Sequence, residues 1–85
     1  MREPQLVDVF ACDDFSLLLT YGNGEHRVYD MTPMLDYDYF APLRNISFFK
    51  DKACIQYGTI AWSDDIDIAP EELYRNSVLY HSTQI

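Results

Sequence analysis

Glycine is scarce in this chain, three residues in 85. A loop that cradles phosphate needs several glycines at fixed spacing, and no such run is present. Cysteine is scarcer still, Cys12 and Cys54 alone, too few for a disulfide framework. The two histidines, His26 and His81, have no ligand-type residues nearby at a metal-binding spacing. Cations are outnumbered, six Lys and Arg against 14 Asp and Glu, for a formal charge of −8. Such a chain repels a phosphate backbone, so direct nucleic-acid binding is disfavoured. No apolar run approaches the roughly 20 residues that cross a bilayer, which argues against a membrane protein. Met1-Arg2-Glu3-Pro4-Gln5 lacks the apolar core of a secretory signal. A cytoplasmic protein with reduced thiols is therefore expected, a single Cys12–Cys54 bridge remaining open.

What the chain does have is apolar and aromatic. Hydrophobic residues make up 48% and aromatic residues 15%, enough for a real core in one domain over residues 1–85. Seven tyrosines exceed what so small a core needs, and place some of them at a rim or an interface. The organising stretch is Phe15 to Tyr29, FSLLLTYGNGEHRVY. Two β-favouring runs flank Gly22-Asn23-Gly24, and Asn-Gly is the strongest short hairpin signal. A two-residue type I′ loop at Asn23-Gly24 predicts that Tyr21 faces His26, Leu19 faces Val28 and Leu17 faces Asp30. One face then carries Leu17, Leu19, Tyr21, His26 and Val28, and the other Leu18, Thr20, Arg27 and Tyr29. Three consecutive leucines make this a central strand, apolar on both sides.

Gln5 to Cys12 reads as a preceding strand, joined through Asp13-Asp14, which completes an antiparallel meander. An even loop puts Val9 beside Leu18; a three-residue loop exchanges the faces. Thr32-Pro33 looks like an N-cap and first helical residue. Phe40 and Leu43 share one side of a short turn that Pro42 keeps from lengthening. Asn45 caps a further turn, Ile46 to Lys50. Leu35, Phe40, Leu43, Ile46 and Phe49 are expected to cover one sheet face. A second hairpin runs from Ala53 to Trp62 across Gly58. Pro70 opens a last short helix, with Ala69 a poor cap and Leu73 and Tyr74 facing inward. The fold class that follows is α+β: a meander plus a second hairpin, with short helices on one face. The tail, 77–85, is rich in β-formers. It reads as a frayed end, or as a strand added to a sheet edge in this chain or exchanged into another copy, giving a homodimer.

The sequence makes no positive case for an enzyme: no catalytic residues and no cofactor are indicated. Cys12 and Cys54 have no adjacent base or cation to activate them. Asp64, Asp65 and Asp67 form the densest acidic group and are weak candidates for a divalent metal. They lack the glycine and the terminal glutamate of a calcium loop. Tyr57, Trp62, Tyr74, Tyr80 and His81 are the candidate interaction residues.

Several stretches together resemble the small bacterial domain-of-unknown-function family of the DUF 2442 type. They are Leu17-Leu18-Leu19-Thr20-Tyr21 leading to Gly24, Val28-Tyr29-Asp30 with Met34-Leu35, Phe40-Ala41-Pro42-Leu43-Arg44 with Phe49, Trp62, and Asp67-Ile68-Ala69-Pro70-Glu71-Glu72-Leu73-Tyr74. The likeness covers about residues 6–74. Asp65 stands where the family commonly has glycine, and Ala69 where it has an aspartate cap. The resemblance implies a compact α+β fold and supplies no catalytic residues. Some relatives are fused to a helix-turn-helix domain, which this chain is expected to lack. Others sit beside a second small protein in toxin–antitoxin-like pairs. The expectation from charge, tyrosines, tail and resemblance is a protein-interaction module with a basic small protein as partner. The alternative is a small-molecule or divalent-metal-binding domain.

Overall fold

The computed structural model describes residues 3–80. Strands β1 (Leu6–Ala11), β2 (Ser16–Tyr21) and β3 (His26–Asp30) form an antiparallel meander. Two 3₁₀ segments follow, Thr32–Asp36 and Asp38–Arg44, then helix α1 (Ile46–Lys52). Strands β4 (Cys54–Gln56), β5 (Thr59–Ser63) and β6 (Ile66–Asp67) make a second sheet. Helix α2 (Pro70–Arg75) leads into β7 (Val78–Leu79), which pairs with β3 and completes the first sheet in the order β1-β2-β3-β7. The fold is α+β, with antiparallel sheets and short helices.

Both hairpins of the meander close through three residues and not two. Cys12 N–H bonds to the Ser16 carbonyl (2.9 Å) and Phe15 N–H to the Cys12 carbonyl (3.2 Å), leaving Phe15 at φ +67°. A bulky residue rarely adopts this backbone region. It is held here because the Phe15 ring packs on Phe49, their centroids 5.1 Å apart. The second turn repeats the geometry. Gly24 N–H bonds to the Tyr21 carbonyl (3.0 Å), Tyr21 N–H to the Glu25 carbonyl (2.9 Å), and Gly24 takes φ +91°. This is a type I turn with a left-handed glycine behind it, the usual three-residue hairpin.

The expected type I′ loop at Asn23-Gly24 is thus corrected. Asn23 is not at positive φ; its side-chain oxygen accepts from Glu25 N–H (3.0 Å). The register moves by one residue. Leu17 pairs with Tyr29, Leu18 with Val28, Leu19 with Arg27 and Thr20 with His26. A one-residue slip exchanges the faces of a strand, so on β3 Tyr29 and Arg27 turn inward and Val28 and His26 outward. The type I′ loop is elsewhere. Tyr57 and Gly58, at φ +55° and +80°, join Gln56 to Thr59.

The middle segment closes one side of the core. Leu43 and Phe49 are fully buried, while Leu35, Phe40 and Ile46 are partly buried against them. Asn45 caps α1, its oxygen accepting from Ser47 N–H (2.9 Å) and Phe48 N–H (3.3 Å). Thr32 is no cap. It lies inside the first 3₁₀ segment, and its N–H bonds to the Asp30 carboxylate (2.9 Å). Ala69 precedes α2 without a side-chain cap bond, as expected of alanine. Leu17, Leu19, Tyr21, Tyr29, Met31, Ile60, Trp62 and Leu73 complete the interior. Strand β5 buries Thr59, Ile60, Ala61 and Trp62 in succession, so both of its faces are covered.

Candidate interaction surface

The inward face of the first sheet is locked by a polar cluster that the register creates. The Arg27 guanidinium donates to Ser77 Oγ (2.6 Å), to the Ser77 carbonyl (3.1 Å) and to Glu25 (3.0 Å). It also lies 4.4 Å over the Tyr74 ring. Tyr74 O–H donates to the same Glu25 carboxylate (2.8 Å), and Tyr29 O–H to Glu72 (2.9 Å). These bonds tie α2 and the start of β7 to β3. The Tyr74 hydroxyl and then Arg27 hold the Glu25 carboxyl below its ordinary value. Tyr21 stacks edge-on against Tyr74 at 5.0 Å. Burial pushes its phenol up to about 12, and its hydroxyl has no hydrogen-bond partner among the described residues. Burial, reinforced by the Glu72 carboxylate, also raises Tyr29.

The outward face is different. Phe10 pairs with Leu18, Leu18 with Val28, and Val28 with Val78. Side chains directly across an antiparallel ladder share a face. One apolar row therefore crosses all four strands, about 14 Å at roughly 4.8 Å per strand spacing. Phe10 is 62% exposed and Val78 68%, Leu18 is 39% exposed, and Val28 is half-buried. Toward β7, Val28 and Val78 also line a groove shared with Pro33, Met34, Glu72 and Asn76. The row beside the apolar one carries Asp8, Thr20 and His26, with Tyr80 N–H bonded to the His26 carbonyl (2.7 Å). The row on the other side pairs Ser16 with Asp30.

Of the residues singled out from the sequence, Tyr57, Asp64 and Asp67 line one groove on the second sheet, and the others lie apart. Tyr80 lies on this face and is about half exposed. Tyr57 is 92% exposed, on the type I′ loop of the other sheet. Tyr74 belongs to the inward cluster. Trp62, named from the sequence as an interaction candidate, is a core residue. It is buried, stacks on Phe49 at 5.8 Å, and donates its indole N–H to the Phe49 carbonyl (3.0 Å). His81 lies outside the described residues. Asp64 and Asp65 are exposed on the turn between β5 and β6. Asp67 is occupied by Tyr39, whose O–H donates to its carboxylate and whose oxygen accepts its backbone N–H, both at 3.1 Å. Among the described residues no three His, Cys, Asp or Glu side chains converge as a metal would require. Cys12 and Cys54 are free thiols, and the Cys54 thiol donates to the Ala61 carbonyl (3.4 Å). The outward row went unread in the sequence because the two-residue loop put Val28 on the face of Leu17 and Leu19, whereas it pairs with Leu18. Its signal was Leu18, a leucine in the middle of an otherwise half-buried strand.

These features define a small α+β domain with one well-packed side and one bare sheet face. The chain matches the model of a family described as protein of unknown function (DUF2442) over residues 6–78, and it belongs to that family. No curated protein and no solved structure matches it. Among the described residues no helix is long and apolar enough to cross a membrane.

Proposed function

We propose that the chain is a non-enzymatic protein-interaction module, an acidic partner for a basic small protein in an antitoxin-like or accessory regulatory pair. The observation that carries this reading is the bare row Phe10–Leu18–Val28–Val78. An apolar patch continuous across a whole sheet and rimmed by polar groups marks an interaction surface. The charge of −8 supplies the sign of the partner, because long-range attraction selects and steers a basic protein. A cytoplasmic site suits two free thiols. Strand β7 occupies the edge of its own sheet, so homodimerisation by exchange of the tail would first have to break that pairing.

The test is a pull-down with the tagged chain at low and high salt, followed by reconstitution of any retained protein from purified components. A basic partner should be held at low salt, weaken as salt rises, and form a defined complex. Absence of any partner that reconstitutes would overturn the reading.

A further inference from the structure

At one end of the bare row lies a groove of about 330 Å³ lined by Asp8, Phe10, Leu18, Thr20, His26 and Tyr80. We propose that this groove is a socket for one arginine side chain of the partner, an inference that rests on reading the face as an interaction surface. Phe10 and Tyr80 expose more than half of their surface beside it. Aromatic faces favour a planar, weakly hydrated guanidinium over a compact ammonium. Asp8 supplies the charge. It lies on the same side of β1 as Phe10, opposite Thr20, and forms no ion pair among the described residues. Arg27 also borders the groove, but its guanidinium is committed to Glu25 and Ser77, so it does not neutralise Asp8. The space equals on the order of ten waters, enough for one long side chain and too little for a folded segment.

Charge also decides against a second copy of this chain as the occupant. Two copies face to face would oppose −8 to −8 and bring Asp8 and Asp30 of one near those of the other. Like charges brought together at an interface suppress association.

The experiment uses synthetic amphipathic peptides with leucines on one face and a single central arginine, and two analogues carrying citrulline or lysine there. Binding to the isotope-labelled full chain is followed by amide shifts. The arginine peptide should shift the amides of Asp8, Phe10, Thr20 and Tyr80. It should bind about three- to fivefold tighter than the citrulline peptide, the scale of one exposed charge pair. Asp8→Asn should erase that preference, and Phe10→Ser should weaken all three peptides about tenfold or more, with circular dichroism and Trp62 fluorescence confirming that both variants fold. Equal binding of the arginine and citrulline peptides, lysine binding as tightly as arginine, a preference that survives Asp8→Asn, or shifts centred on Asp64 and Asp65 would each overturn the socket. A reconstituted partner that binds the Phe10→Ser chain as well as the parent would remove the socket and leave the module reading standing. Finding no partner, while the arginine peptide still seats in the groove, would do the reverse.

Discussion

Replacing Arg27 should unlatch the C-terminal elements from the meander. The side chain is only 13% exposed, so the small values of surface ion pairs do not apply. It makes three hydrogen bonds and a ring contact. Bonds from a charged donor contribute about 1.5–3 kcal/mol each, yet their sum overstates the loss in Arg27→Ala. Ser77 Oγ keeps its bond to the Tyr74 carbonyl (2.7 Å), and Glu25 keeps the Tyr74 hydroxyl. The Ser77 carbonyl is the group left without its side-chain donor. A net loss of about 3 kcal/mol is expected, a large part of the roughly 4–13 kcal/mol a chain of this length holds. Arg27→Lys should recover less than half, because an ammonium cannot span Glu25 and both Ser77 oxygens as a planar fork does. Urea unfolding monitored by Trp62 measures the loss. Hydrogen exchange at Tyr80 N–H, bonded to the His26 carbonyl, reports the latch itself and should quicken more than exchange within β2. A cost under about 1 kcal/mol for Arg27→Ala, or full recovery with lysine, would refute the assignment of Arg27 as the tie.

Three further outcomes test the packing and the backbone. Tyr21→Phe removes a buried hydroxyl that has no partner among the described residues and should stabilise the chain by about 1 kcal/mol in the same urea assay; a loss would show that the hydroxyl is bonded. Tyr57→Asn puts a residue that tolerates positive φ into the type I′ loop and should gain about 0.5–1 kcal/mol by thermal unfolding, whereas Phe15→Asn should lose stability because the ring packs on Phe49. In alkali, Tyr21, at about 12, and Tyr29, also raised, bind their protons more tightly folded than unfolded. Their stabilisation is complete below the ordinary tyrosine value near 10 and is lost as pH rises through the folded values. Ultraviolet titration should therefore show a late tyrosinate step that coincides with unfolding.

The elements themselves were legible from local chemistry. Asn45 before an apolar run gave the start of α1, Pro70 the start of α2, and the Leu-rich and Val-rich runs the strands. What misled was the assumption that Asn-Gly must occupy the two central positions of its turn. Asn23-Gly24 is equally suited to the last two places of a three-residue loop, where only the glycine needs positive φ. The true type I′ loop carries Tyr57, a residue the local rules reject for that backbone. For Trp62, an interaction candidate in the sequence, only the tertiary arrangement shows the Phe49 carbonyl waiting for its indole N–H. Pairing of the tail with β3 could not be decided locally, because it depends on Arg27 facing inward to hold Ser77.

That one residue of loop length links the fold to the proposed function. In the two-residue register Val28 would fill the core and Arg27 would stand on the outer face as a fixed cation. The sheet would then present an interrupted apolar row with its own positive charge beside Asp8, a poor seat for a basic partner. In the three-residue register Arg27 goes inward and finds Glu25, Ser77 and Tyr74, while Val28 goes outward and joins Phe10, Leu18 and Val78. The same slip stabilises the C-terminal latch and leaves the exposed face apolar and acidic. An interaction surface formed this way needs no residue that is costly to the fold, because Leu18 and Val28 are good strand formers on either face. The bare row is thus compatible with a stable isolated chain, and on the proposed reading its exposed side chains remain available for contact with another protein.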